Sequence, residues 1–218
     1  MKTYLLPLSL MLVASVAQAQ TPAPAAAPAQ APATKPGPVI PGVCIYSNEA
    51  VMHNADVSKA AMTRLEQLST AAEAELAPDL KTLETERESI VKQQQGGATQ
   101  QTLQPLVQAL STKAQAFSDK AFIVNQELSR TEQQANAQLG QVIGPVLNTT
   151  YEARNCGMLV DRAAVLFANP AMDITGEVID KLNASKVTVD IKRVVINEAD
   201  RQKLLQLKAQ QEAQQGGQ

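Results

Sequence analysis

The chain has 218 residues, with 19 basic and 21 acidic side chains, so its formal net charge is −2. This mild charge argues against a nucleic-acid partner, which requires a strongly basic surface. Aromatic residues make up only 3% of the chain and tryptophan is absent, which suits long thin helices better than a thick globular core.

The first 19 residues have the pattern of a secretory signal peptide. Lys2 is followed by an apolar run from Leu5 to Val16 and then by Ala17-Gln18-Ala19, a small-x-small cleavage site. The apolar run is too short to span a membrane. We therefore predict export with cleavage near Ala19, which leaves 18 basic and 21 acidic residues and a net charge of −3.

Residues 20–42 are dominated by Ala, Pro, Gln and Thr. Such a segment has too little apolar surface to bury, so it predicts a disordered linker. The next residues, from Val43 to Ser47, are β-prone and predict a first strand. Residues 43–55 are thus assigned to a β-containing body.

Residues 56–153 predict two long helices, because apolar residues recur there at steps of three, four or seven. The first apolar stripe consists of Val57, Ala61, Leu65, Leu68, Ala72, Leu76, Leu80, Leu83 and Ile90. The second consists of Leu103, Leu106, Leu110, Ala114, Phe117, Val124, Leu128, Ala135, Leu139, Val142 and Val146. Both stripes are as narrow as a coiled-coil seam, so each needs a partner helix along its length.

Gly96 and Gly97 separate the two stripes. Glycine ends helices and reverses the chain without steric cost, so we predict a helical hairpin with its tip at residues 96–98. A single rod that is merely interrupted is the less favoured interpretation. Pro78 and Pro145 each remove a helix hydrogen bond and should bend the arms. Pro105 either does the same or lies in the first turn of the return helix, where it costs little.

The sequence after the arm predicts further strands and a short helix. Residues 157–161 and 164–167 are interpreted as two strands joined by a short turn, and Val187, Val189 and Ile191 alternate as in one more strand. Asp173 or Thr175 is predicted to cap the short helix, which runs through Val178, Ile179 and Leu182. We assign residues 154–196 to the body and residues 197–218 to a Gln-rich flexible tail, either a frayed helix or disordered.

Cys44 and Cys156 are the only two cysteines. In an exported protein such a pair favours a disulfide. The predicted hairpin returns the chain to its start, which would bring the two cysteines together at the base. Two separate buried thiols are the alternative.

The sequence contains no recognisable catalytic constellation. His53 is the single histidine, and no glycine-rich phosphate loop is present. Glu84, Glu86 and Glu88 would point in different directions on a helix, so a solvated face is the favoured interpretation. We predict that the protein is not an enzyme and binds no cofactor or metal.

Two segments resemble those of a known protein family. Within residues 159–182, "LVD", "AVLFANPAMDIT" and "VIDKL" are similar to the closing strands and C-terminal helix of the Skp/OmpH family of periplasmic chaperones. "KAQAF" at residues 113–117 lies in the return arm, where the family has a similar segment. The resemblance covers about residues 43–183.

The resemblance implies a fold that is mainly helical with a small β body, from which a long antiparallel helical hairpin projects. It implies a homotrimer assembled through short strands. Its three arms would enclose a cavity that holds unfolded outer-membrane proteins in the periplasm without ATP. An adaptor coiled coil of the cell envelope that binds one folded partner is the alternative function.

Two features of the arm bear on its binding partners. Residues 56–153 hold 8 basic and 12 acidic side chains, a net charge of −4, whereas the resemblance implies basic arms that suit anionic lipid. This departure leaves membrane or lipopolysaccharide contact open. Phe122 and Ile123 are the candidate client-contacting residues, with packing at a helix crossing as the other interpretation.

Overall fold

The computed structural model describes residues 37–215. The predicted signal peptide and most of the predicted linker therefore lie outside the described residues, as do residues 216–218. The elements are β1 (Val43–Tyr46), α1 (Asn48–Asn54), α2 (Asp56–Gln95), α3 (Gln100–Ala153), β2 (Met158–Asp161), α4 (Thr175–Ser185) and α5 (Glu198–Gln215). Short 3-10 turns lie at Arg162–Ala164 and Pro170–Met172. The described part is thus mainly helical with a small strand segment.

Helices α2 and α3 form an antiparallel hairpin, which we call the arm. With 40 and 54 residues, they are about 60 and 80 Å long at 1.5 Å per residue. Gly96 and Gly97 lie in the turn between them, and Gly97 has a φ of 86°, which favours glycine. Thr99 begins α3, because its hydroxyl accepts a hydrogen bond from the N–H of Thr102 at 3.3 Å.

The arm has two parts that differ in burial. We call residues 56–79 together with 118–153 the stem, and residues 80–117 the distal arm. The buried side chains of α2 and α3 all lie in the stem, whereas no residue of the distal arm is buried. The buried stem residues are Val57, Ser58, Ala61, Ala72, Ile123, Val124, Glu127, Thr131, Ala135, Leu139, Ile143 and Thr150.

We call residues 37–55 together with 154–186 the base of the arm. The base is organised around β1. This strand pairs in parallel with β2, and Val43 lies opposite Met158. On its other side the carbonyl of Ile45 accepts a hydrogen bond from the N–H of Ile174 at 2.9 Å. Burial of Ile45 excludes water from the strand, and Val178 and Leu182 of α4 lie with the stem residues in one core. The base therefore fixes both ends of the hairpin.

The strand predicted over residues 164–167 is wrong. The carboxylate of Asp161 accepts a hydrogen bond from the N–H of Ala163 at 2.8 Å, which starts a 3-10 turn at the end of β2. The apolar side chains that follow are exposed and have no strand beside them in the described chain. β-prone residues form a ladder only where a partner strand is available.

The strand predicted over residues 187–191 is also wrong. These residues have no regular secondary structure, although burial alternates from half-buried Val187 and Val189 to buried Ile191. The side of the segment that carries Val187, Val189 and Ile191 packs on the core and is not part of a sheet. The Arg64 side chain of α2 donates to the carbonyl of Ile191 at 3.2 Å.

Two further differences concern helices. Residues 48–54, assigned to the β-containing body, form α1, which begins where the Ser47 hydroxyl accepts from the N–H of Ala50 at 3.1 Å. Residues 198–215, for which the sequence left a frayed helix or a disordered tail open, form α5, and this helix contacts α3 through Lys208. A glutamine-rich composition with few apolar residues gave no signal for that contact.

Candidate functional site

The most exposed apolar surface of the base follows β2. Within residues 37–215, β2 pairs only with β1, so its other edge is open. Met158 and Leu159 on the strand are 58% and 37% exposed, and Leu166 and Phe167 beyond it are 90% and 84% exposed. We call these four residues the base edge. An open strand edge beside exposed apolar residues is a surface suited to pairing with another chain.

Side-chain caps hold the loop that presents Leu166 and Phe167. Asp161 caps the turn before it, as described above, and Asn169 caps the turn after it by accepting from the N–H of Ala171 at 3.0 Å. The Asn169 amide also donates to the carbonyl of Gly37 at 2.7 Å. The loop is thus anchored at both ends while its apolar pair faces solvent. The sequence signal for this loop was the apolar pair itself, which was assigned to a strand.

Cys44 and Cys156 form a disulfide in the structure, with their Cα atoms 5.7 Å apart and a sequence separation of 112. Cys44 lies on β1, and Cys156 follows the end of α3. Beside this bond, the carbonyl of Gly42 accepts hydrogen bonds from the N–H groups of Gly157 and Met158 at 2.6 and 2.9 Å. The start and the end of the hairpin are therefore joined by both covalent and hydrogen bonds.

Charged side chains at the base connect secondary-structure elements to one another. Arg154, just after α3, donates to the carbonyl of Ala171 at 2.7 Å. Lys181 of α4 forms an ion pair with Glu177 at 2.9 Å and donates to the Thr150 hydroxyl at 3.1 Å. The Lys181–Thr150 contact fastens α4 to α3, and the Arg154 contact fastens the 3-10 turn before α4 to the end of α3, so these side chains have a structural role.

The residues considered for chemistry are dispersed. His53 is exposed in the last turn of α1. Glu86 forms an ion pair with Lys113 across the arm, while Glu84 and Glu88 are exposed on α2. Within residues 37–215 no group of three or more histidine, cysteine or acidic side chains could hold a metal ion.

The structure corrects one of the two candidate client contacts. Ile123 is only 2% exposed, so a client cannot reach it in this conformation. Phe122 is half-buried, and the ammonium group of Lys208 from α5 lies 5.9 Å from the centre of its ring. Packing within the chain, the other interpretation of these two residues, accounts for Ile123.

The distal arm offers more accessible apolar surface. A groove of about 360 Å³ between its helices is lined in part by Leu83 and Phe117. Further exposed apolar side chains lie along the same part of the arm: Leu80, Val91, Leu106 and Val107. In the described part of the chain, every helix is too short or too polar to cross a membrane.

Comparison with known protein families identifies the family to which this chain belongs. The model of the family described as "Outer membrane protein (OmpH-like)" matches residues 42–182, which is most of the described base and arm. The chain belongs to the OmpH-like family. This result confirms the resemblance drawn from residues 159–182 and the mainly helical fold with long helices and a small strand segment.

A solved structure supports this family assignment. The chain is 32% identical to a proposed outer membrane chaperone (OmpH-like) from Caulobacter crescentus CB15, with a TM-score of 0.66. The match covers 76% of this OmpH-like chain and 97% of the Caulobacter chain. No curated protein matched this chain.

Proposed function

We propose that this OmpH-like protein is a periplasmic holdase that keeps unfolded outer-membrane proteins soluble without ATP. The observation that carries the proposal is the distal arm, in which no residue is buried although an apolar seam runs along it. Such a surface offers many weak apolar contacts and no single fitted site. Weak contacts of this kind add up for a long unfolded chain, and they do not select one sequence.

The base edge supports a homotrimer as the working form. Two short strands make a sheet too small to be stable without further partners. Pairing of β2 with a neighbouring copy would bury Met158 and Leu159, and it would cover Leu166 and Phe167. A ring closed by such contacts would direct three arms to one side, where they would enclose a cavity. Membrane contact is not part of the proposal, because the arm is acidic.

An aggregation assay tests the proposal directly. A β-barrel outer-membrane protein is diluted from urea with stoichiometric amounts of the exported protein and no ATP, and light scattering is followed. The proposal predicts suppressed scattering for several unrelated barrel proteins. Scattering that matches a buffer control would overturn it. Saturable binding of one folded partner, without protection of barrels, would favour the adaptor function instead.

A matched pair of variants tests the assembly. Phe167→Asp places a charge in the base edge, so sedimentation should change from three chains to one and the protection of barrels should fall. Met62→Asp is the control, because Met62 is also exposed, at 48%, but lies on α2 and outside the base edge. A trimer that survives Phe167→Asp and Leu166→Asp together would contradict the role of the base edge.

A further inference from the structure

The segment after α4 runs outward along the arm. Its first residues follow Lys186, whose φ of 48° turns the chain at the end of α4. Ile191 and Ile196 are each only 4% exposed, and α5 continues from there to Gln215. We call residues 187–215 the extension. It lies beyond the family match, which ends at residue 182.

Arg193 of the extension contacts both helices of the stem. Its guanidinium group donates to Glu75 of α2 at 2.7 Å and to Glu127 of α3 at 2.9 Å. Glu127 is only 5% exposed, so this carboxylate would lack a charged partner without Arg193. Burial alone would lower the pKa of Arg193, but its hydrogen bonds to Glu75 and Glu127 raise that pKa above its ordinary value. One side chain thereby joins α2 to α3.

Backbone groups of the extension satisfy the same buried polar atoms. The N–H of Ile196 donates to the second carboxylate oxygen of Glu127 at 3.0 Å. The N–H of Val194 donates to the hydroxyl of Thr131 at 2.9 Å, and Thr131 is 1% exposed. A buried carboxylate that loses its partners is strongly destabilising. The presence of Glu127 and Thr131 inside the stem is therefore explained by the extension.

The hydrogen bonds and ion pairs that join the extension to the arm end at the outer limit of the stem. Lys208 of α5 donates to the Asp119 carboxylate at 2.7 Å and to the Ser118 hydroxyl at 2.8 Å. Among the hydrogen bonds and ion pairs within residues 37–215, none joins the extension to the distal arm. On the facing helix, Pro78 lies at the same limit and removes one backbone hydrogen bond from α2.

We propose that the extension is an intrachain brace that locks α2 against α3 along the stem and confines bending of the arm to the part beyond Pro78. The brace follows from the contacts above and does not depend on the proposed holdase function. In an assembly with several arms, it would fix the spacing near the base and leave the outer ends adjustable.

Hydrogen exchange of the full chain tests the brace. The Arg193→Ala variant should exchange its stem amides roughly tenfold faster or more, because a lost charged hydrogen bond of about 1.5–3 kcal/mol corresponds to at least that factor. The faster exchange should be confined to residues 64–79 and 118–135. Lys192→Ala is the matched control, because Lys192 is exposed and, within residues 37–215, its ion pair is with Asp190, two positions away.

The outcomes separate the brace from a general loss of stability. Unchanged stem exchange in Arg193→Ala would overturn the proposal, and so would an increase spread evenly over the base, the stem and the distal arm. If Arg193→Ala does not fold, Arg193→Lys serves instead, because it keeps the charge but cannot reach both carboxylates with a planar fork. This variant should show a smaller increase in the same stem residues, and protection equal to the natural chain would overturn the brace.

Discussion

The stem and the distal arm are built from the same two helices but are held together in different ways. In the stem, α2 and α3 pack on the core of the base, and the extension binds the buried polar groups of Glu127 and Thr131. In the distal arm an ion pair joins the two helices to each other, no hydrogen bond or ion pair within residues 37–215 joins them to another element, and no side chain there is buried. The difference teaches that the two helices run together along the whole arm, whereas buried side chains hold them only in the stem, so we expect the stem to be the more rigid part.

Removing the disulfide at the base should have the largest effect on the free energy of unfolding. Replacing Cys44 and Cys156 by serine should lower the free energy of unfolding by about 4 to 5 kcal/mol, because the bond closes a loop of more than 100 residues. Urea denaturation followed by circular dichroism measures the loss. Mass analysis after alkylation, with and without reductant, establishes the bond itself. Two freely alkylated thiols in the exported protein would contradict it.

Cavity-forming substitutions compare the two parts directly. Leu139→Ala in the stem should lower the free energy of unfolding by about 3 kcal/mol, because that side chain is only 2% exposed and its loss leaves a void. The matched variant Leu83→Ala in the distal arm should lower it by about 1 kcal/mol, because Leu83 is only half-buried. Equal losses in urea denaturation would show that the distal arm is as well packed as the stem.

The tip gives a smaller and more local effect. Gly97→Ala should weaken the hairpin by about 1 kcal/mol, because a φ of 86° is unfavourable for a residue with a Cβ atom. Exchange at residues 90–105 should rise while exchange in the stem stays unchanged. Gly97→Asn is the control and should restore part of the loss, since asparagine tolerates this backbone region better. Faster exchange in the stem would contradict the separation of the two parts.

The ion pair between Lys113 and Glu86 gives the smallest expected effect. Its side chains are 53% and 34% exposed, so Lys113→Ala should change the free energy of unfolding by no more than about 0.5 kcal/mol. The change should shrink further in 1 M salt because of screening. If Lys113→Ala lowered the free energy of unfolding by more than about 1 kcal/mol both with and without salt, the pair would contribute as much as a buried contact, and the prediction would be wrong.

The apolar period was informative because burial on one helical face repeats along the chain. Residues 56–153 carry that period, and the structure has α2 and α3 there. The same reasoning was wrong for residues 164–167, where apolar side chains face solvent. A period reports which side of an element is apolar, but it does not say whether a neighbour from the same chain covers it.

The extension was unpredictable for a physical reason. Its attachment depends on Arg193, whose partners Glu75 and Glu127 lie 118 and 66 positions before it in sequence. Polar contacts over such distances leave no local pattern, and the polar composition of α5 resembles that of a flexible tail. The base edge was partly visible as apolar residues, but its exposure is a property of the fold.

The bond between Cys44 and Cys156 has a consequence for a damaged molecule. A protease that cuts the chain once, anywhere between residues 45 and 155, would leave two fragments that are still joined by the disulfide. They would migrate as one band without reductant and as two bands with it. A molecule cut once in the distal arm would thus remain one covalently linked molecule.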